Sequence, residues 1–217
     1  LTQCSVCELV QLRHTVDRAR LYKDYWYRSG TNESMKRELR GIVEAALKQK
    51  KVHAGDWVLD IGANDGTLLS NYPGMVQRCG VDPAQNLSRD LAREADLVIP
   101  TFFPTPNPLP FKAKIITAIA MVYDLEEPVE FLRAVARTLH PEGVFVLQFG
   151  DLLSMVQEGA WDGICHEHLE YYSFTVMERM LYQAGLEVVD AERNQTNGGS
   201  VRIFAIHTDK ATALKLA

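Results

Sequence analysis

A chain of 217 residues is long enough for one well-buried domain with a small appendage, and 47% apolar with 24% charged residues is globular composition. The formal net charge of −5 gives no broad basic face, which argues against nucleic acid as the partner, and no apolar run reaches the roughly 18 residues of a membrane span. No charged-then-apolar leader opens the sequence and four cysteines are too few for a secreted disulfide framework, so a soluble, cytoplasmic, monomeric protein is expected.

Residues 1–20 read as a short β-ribbon, with Leu9, Val10 and Leu12 around the polar Gln11 and Arg13. An aromatic connector follows from Tyr22 to Ser29, ending at Gly30. From about residue 33 apolar residues recur with helical period: Met35, Leu39, Ile42, Val43, Ala46 and Leu47. Trp57–Ile61 is a compact apolar run of the kind a buried parallel strand requires, and Thr67–Tyr72 reads as a short helix. Val76–Asp82 reads as a strand, Asn86–Arg93 as a helix and Leu97–Ile99 as a third strand. The proline-rich run 100–110 must be loop.

Lys114–Ala120 supplies a fourth strand. Asp124-Leu125-Glu126-Glu127 has capping-box spacing and predicts a helix running through Leu139. Pro141-Glu142-Gly143 turns the chain into a fifth strand, Val144–Phe149. A helix near 174–184 precedes two strands, Leu186–Ala191 and Ser200–His207, joined by a turn at Asn197-Gly198-Gly199. Five β/α units closed by an antiparallel hairpin predict an α/β, seven-stranded Rossmann-like sheet, mostly parallel with an antiparallel last strand.

The segment Val58-Leu59-Asp60-Ile61-Gly62-Ala63-Asn64-Asp65-Gly66-Thr67 places a glycine turn between a buried strand and the next element. Such a turn lets backbone approach a ligand closely. It lacks the G-x-G-x-x-G of a dinucleotide fold, and Asp60 ends the strand where a pyrophosphate would be repelled. A cation is welcome there, which points to the sulfonium and amino group of S-adenosylmethionine. About 22 residues on, at the end of the second strand, Asp82 precedes Pro83 and can accept ribose hydroxyls. Asp60, Gly62, Asn64, Asp65, Gly66, Asp82 and Pro83 are therefore the candidate cofactor residues. Thr101 and Phe102, with Phe103, either wall the adenine or tuck into the core. Tyr27 in the connector joins the cofactor candidates.

Four segments together resemble the sugar C-methyltransferase family. They are Cys4-Ser5-Val6-Cys7 with Leu9-Val10-Gln11-Leu12, Tyr25-Trp26-Tyr27-Arg28-Ser29-Gly30, the Asp60–Thr67 loop, and His166-Glu167-His168-Leu169-Glu170-Tyr171-Tyr172-Ser173. Asn197-Gly198-Gly199-Ser200-Val201-Arg202 is similar to that family's His-Gly-Gly-Ser segment, with asparagine for histidine. Members methylate a ring carbon of nucleotide-linked 4-keto deoxysugars and are about twice this long. They carry an N-terminal zinc module with two C-x-x-C pairs and a C-terminal domain. The resemblance implies a central portion of such a protein: residues 1–30 as the remnant of the zinc ribbon and its connector, and 31–217 as the methyltransferase domain. It implies zinc in the full-length protein, with Cys4 and Cys7 as metal ligands of a half-built site here.

Methylating carbon requires that the carbon first become nucleophilic, and a neighbouring ketone permits this once a base removes the α-proton. The resemblance implies His168 as that base, Glu167 as the group that orients it and His166 as a supporting member. The family often has a tyrosine before the first histidine, where Cys165 stands; Tyr171, Tyr25 or Tyr27 are candidates for its task. From the residues alone, His-x-His is also a possible metal pair, or a polar cap on the following helix. The expected function is C-methylation of a nucleotide-linked keto-deoxysugar. Methylation of oxygen or nitrogen on a small metabolite, and a non-catalytic methyltransferase-like binding module, are the alternatives.

Overall fold

The fold was obtained as a computed structural model, in which residues 1–209 are described. The predicted domain 31–217 thus extends past the described residues at its C-terminal end. Two sheets organise the chain. The larger has seven strands, β3 (Trp57–Ile61), β4 (Gln77–Val81), β5 (Leu97–Ile99), β6 (Ala113–Ile119), β7 (Leu139–Gly150), β9 (Leu186–Asn194) and β10 (Ser200–His207), in the order β5-β4-β3-β6-β7-β10-β9. The pairs from β5 through β7 are parallel, and β10 lies antiparallel between β7 and β9. The predicted seven-stranded α/β plan with an antiparallel last strand is therefore what forms. The smaller sheet joins β1 (Thr2–Gln3) and β2 (Val10–Gln11) to β8 (Glu170–Tyr171).

Side chains alternate across the large sheet and divide its core in two. On β7, Val144 and Val146 face one layer while Phe145, Leu147 and Phe149 face the other. The first layer is covered by α2 (Glu33–Gln49), through Leu39, Ile42, Val43 and Ala46, and by α3 (Ser88–Glu94), through Leu91. The second is covered by α4 (Pro128–Thr138), through Phe131, Leu132 and Val135, and by α6 (Phe174–Gln183), through Met177 and Leu181. Burial on both faces explains why these strands read as continuous apolar runs. Shorter helices α1 (Arg18–Tyr22) and α5 (Leu152–Glu158) flank the carboxyl ends of the strands.

Local chemistry decided several boundaries against the sequence reading. The expected helix at 67–72 is a single 3₁₀ turn, Leu69–Asn71, because the Asn71 amide bonds the Thr67 carbonyl and Pro73 follows at once. The capping box at 124–127 does not form. Helix α4 starts at Pro128, whose fixed φ suits the first helical position, and Val122–Asp124 is a separate 3₁₀ turn. Pro141–Gly143 lies inside β7 as an irregularity, between the pairings Ala113↔Leu139 and Ile115↔Val144.

Helix α6 is capped as its sequence suggests, with the Ser173 hydroxyl accepting from the Val176 amide at 3.4 Å. Ser173→Ala is expected to lower stability by about 1 kcal/mol, readable as an earlier urea midpoint with unchanged slope.

Candidate active site

The carboxyl ends of the parallel strands open into a cleft of about 600 Å³, within the range of small-molecule sites. Its floor is the loop after β3. Gly62 has φ +74°, and a Cβ there would meet Met121 Cγ at 3.1 Å, so only glycine lets the backbone pass under the cleft. Asp60 is 3% exposed and opposite Thr117 across the β3–β6 pair; the Thr117 hydroxyl donates to its Oδ1 at 2.6 Å. Burial raises the Asp60 carboxyl to about 7, the Thr117 hydrogen bond opposes this, and the Asp82 charge adds to it.

Asp82 follows β4 and is 8% exposed. The Asn64 amide donates to its Oδ2 at 2.7 Å and the Ala84 amide to its Oδ1 at 2.8 Å. These two backbone donors fix the carboxylate's orientation and leave each oxygen one further lone pair. Burial pushes its pKa up and the two amides pull it back. Pro83, Thr101 and Phe102 line the same end. Both phenylalanines line the cleft: Phe102 lies under the Arg18 guanidinium, 4.5 Å from its ring centre, while Phe103 also packs edge-on against Phe131 of the core.

Other loop residues act at one remove. The Asn64 side chain accepts from the Ser29 amide at 3.0 Å and donates to the Tyr27 carbonyl at 3.1 Å. Asp65 accepts from the Gly30 amide at 2.8 Å and from the Thr67 hydroxyl at 2.6 Å. The loop thereby clasps the aromatic connector, which brings Tyr22, Tyr25 and Tyr27 to the cleft wall. Asp65 and Gly66 do not line the cleft. A Cβ on Gly66, φ +84°, would come within 2.8 Å of Glu94 Cβ, so this glycine serves the packing of α3.

The His-Glu-His block enters from the opposite side, on the segment between α5 and β8. Glu167, His168 and Tyr171 line the cleft; His166 is exposed and outside it. His168 Nδ1 lies 2.8 Å from the Gly163 carbonyl. A carbonyl can only accept, so Nδ1 carries the hydrogen and the neutral ring keeps its basic lone pair on Nε2. Tyr123 packs edge-on at 4.4 Å from the imidazole. The Tyr171 hydroxyl is buried; burial and then Cys165 raise its pKa, and a hydrogen bond with the Cys165 backbone opposes this. The β1–β2 ribbon pairs with β8 immediately after the block, and the Leu12 amide bonds the Leu169 carbonyl at 2.7 Å.

Cys4 and Cys7 share one turn of that ribbon, and the backbone amides of Cys7 and Val6 lower the Cys4 pKa. Among the described residues no group of three or more His, Cys, Asp or Glu is placed to hold a metal, so Cys79 (buried in β4) and Cys165 do not extend the pair into a ligand set.

A family model described as a methyltransferase domain matches residues 31–191. The chain belongs to the methyltransferase domain family. Among curated proteins it is similar to the C-methyltransferase NovU of Streptomyces niveus, at 28% identity over 93% of this chain and 50% of that protein. The chain thus spans about half the length of the curated relative it matches. Solved structures with the same fold include an S-adenosylmethionine-dependent methyltransferase from Clostridium acetobutylicum, with TM-score 0.64 and 11% identity over 79% of this chain and 92% of that one. The CcbJ methyltransferase of Streptomyces caelestis gives 0.62 and 16%, covering 85% and 100%. Magnesium protoporphyrin IX methyltransferase of Synechocystis, with S-adenosylhomocysteine bound, gives 0.63 and 13%, covering 88% and 92%. The fold is that of S-adenosylmethionine-dependent, Rossmann-like methyltransferases. No helix among the described residues is long and apolar enough to cross a membrane.

This methyltransferase domain also lines its cleft with residues that the sequence reading did not single out for the site, among them Asp124, Asp151 and Glu170. Burial raises Asp124 to about 8, with Glu167 adding and Tyr22 opposing; burial and then Glu127 raise Glu170 to about 8. A usable signal existed for Asp124. Pro128 competes for the helix start and frees the aspartate from a capping role.

Proposed function

We propose that this chain is the catalytic part of an S-adenosylmethionine-dependent C-methyltransferase, acting on a ring carbon of a nucleotide-linked 4-keto deoxysugar through a base-generated enolate. The observation that carries the proposal is one cleft that joins the Asp60–Asp82 floor to His168, with His168 Nε2 left basic by the bond from Nδ1 to Gly163. The similarity to a C-methyltransferase over 93% of the chain supports carbon as the acceptor atom.

The floor suits a cationic adenosyl cofactor. Asp82 would hold the ribose, Pro83, Thr101 and Phe102 the adenine, and Asp60 would face the cationic end; Arg18 is the one Lys or Arg among the described residues that line the cleft. When bound, S-adenosylmethionine supplies an electrophilic methyl group on a positively charged sulfur. The protein's part is to exclude water, align the acceptor carbon and take its proton at His168, with Glu167 lining the same cleft.

Two measurements test this. Calorimetry with S-adenosylhomocysteine should show binding, and its absence in the folded protein would remove every enzymatic reading. A methyl-transfer screen over nucleotide-linked keto-sugars should then give a new C-methyl signal by carbon NMR. An O-methyl signal in its place would overturn the enolate.

Asp60 makes the binding pH-dependent. A cation favours its ionised form, and its carboxyl is raised to about 7 in the free protein. Affinity for S-adenosylmethionine should therefore rise with pH between about 6 and 8, by up to about tenfold per unit below 7, and level off above. Binding near pH 7 should release protons, seen as a buffer-dependent enthalpy. A flat profile would remove Asp60 as the cation's partner.

A further inference from the structure

Polar side chains are buried together in the cleft with hydrogen-bonding capacity to spare: the Tyr22 hydroxyl beside the Asp124 carboxyl, to which it donates, the Tyr171 hydroxyl, and one carboxyl oxygen of Asp151. Buried polar groups are nearly always satisfied, so spare capacity gathered in one cleft points to an oxygen-rich ligand. Asp124 is the one tied most closely to the base. It ends the 3₁₀ turn Val122–Asp124, and Tyr123 of that turn packs 4.4 Å from the His168 ring. The Glu167 charge reaches Asp124, Tyr22, Tyr25 and Tyr123, which places these groups together at the His168 end.

No cation offsets a charge at this position: Arg18, the one Lys or Arg of the lining among the described residues, is committed to the face of Phe102. The surroundings of Asp124 are phenols, apolar surface and the like charge of Glu167. Burial, opposed by the Tyr22 hydrogen bond, raises the Asp124 carboxyl to about 8, which favours its protonated form near neutral pH. A protonated carboxyl differs from a carboxylate in one decisive respect, because it can donate. A hydrogen-bond donor held in the same end of a cleft as a base is the arrangement that stabilises charge on a carbonyl oxygen during proton abstraction.

We propose that Asp124, with Tyr22 beside it, donates a hydrogen bond to the carbonyl oxygen of the acceptor and holds the negative charge that gathers there as His168 removes the α-proton. The proposal rests on the enolate reading above. In the step, His168 Nε2 takes the proton from carbon, and the C–H pair becomes the enolate double bond. The carbonyl π pair moves to oxygen, where the Asp124 hydroxyl meets it. The Asp124 proton does not need to cross. Methylation of the carbon restores the carbonyl, and His168 returns its proton to solvent.

The test separates proton abstraction from methyl transfer. The full chain, saturated with S-adenosylhomocysteine, is incubated in heavy water with a thymidine-diphosphate-linked 4-keto-6-deoxyhexose, and deuterium entry beside the ketone is followed by proton NMR. Asp124→Ala should slow exchange by ~10²–10³-fold, as loss of one oxyanion donor does, with S-adenosylhomocysteine affinity unchanged. Asp124→Asn, which restores a donor, should recover part of the rate, and Tyr22→Phe should slow it about tenfold. Exchange at the wild-type rate in Asp124→Ala would overturn the proposal. If that variant does not fold, wild-type rates in both Asp124→Asn and Tyr22→Phe would do the same. A wild-type protein that binds S-adenosylhomocysteine yet exchanges no deuterium would overturn the enolate reading itself, and this proposal with it.

Discussion

His168→Ala is expected to lower methyl transfer by ~10²–10⁴-fold while leaving S-adenosylhomocysteine affinity within about twofold. The separation follows from the layout. His168 approaches from the segment before β8 and bonds only Gly163 among the described hydrogen bonds, whereas the cofactor floor is built from β3, β4 and their loops. Removing the imidazole breaks no contact of Asp60 or Asp82. Turnover should depend on it and cofactor binding should not. If methyl transfer survived in His168→Ala, another group would be the base and the enolate assignment would fall. His166→Ala is the internal control: exposed and outside the cleft, it should retain activity within a few-fold.

Arg202→Ala is expected to destabilise the protein by about 3–5 kcal/mol, the largest effect on stability anticipated here. Arg202 on β10 is 6% exposed, and its guanidinium reaches Glu38 of α2 at 2.7 Å, Glu192 of β9 at 2.5 Å and the Gln148 carbonyl of β7 at 2.8 Å. Gln148 in turn donates to Glu38 and accepts from Asn194, so four elements meet on one cation. Truncating the arginine leaves the half-buried Glu38 carboxylate without its cation and takes one of two donors from the Gln148 side-chain oxygen. Chemical denaturation should show the loss, and the double variant Glu38→Leu, Arg202→Leu should recover much of it because the only charge then left without its partner is the half-exposed Glu192. Additive losses in the pair would mean the two residues do not act through each other.

How much of this was visible in the chain differs by element. Trp57–Ile61 and Leu97–Ile99 were legible to the residue, because burial on both faces leaves an apolar run bounded by polar turns. Asp60 and Asp82 were legible as a pair because they end adjacent strands at a fixed interval. The task of Asn64 was not: its side chain spends both polar groups on the connector, a contact made across 35 and 37 positions that no local pattern records. Asp124 was misread for a related reason. Its spacing to Glu127 satisfies a capping box, but Pro128 takes the first helical position instead, and Asp124 lines the cleft. Helix α5 was missed although Asp151 and Gly159 cap it, since it buries no apolar stripe to give it a period.

The pairing of β2 with β8 carries a consequence for how the protein becomes competent. The loop that bears His168 is held in register by residues about 160 positions earlier in the sequence, so its geometry depends on an interaction of very high contact order. Synthesis can finish the cofactor floor well before the ribbon finds its partner strand. The order of events is then set by topology, with the half bearing Asp60 and Asp82 assembled first and the half bearing His168 last. Deletion of residues 1–12 is expected to leave S-adenosylhomocysteine binding intact while lowering methyl transfer, as calorimetry beside a transfer assay would show.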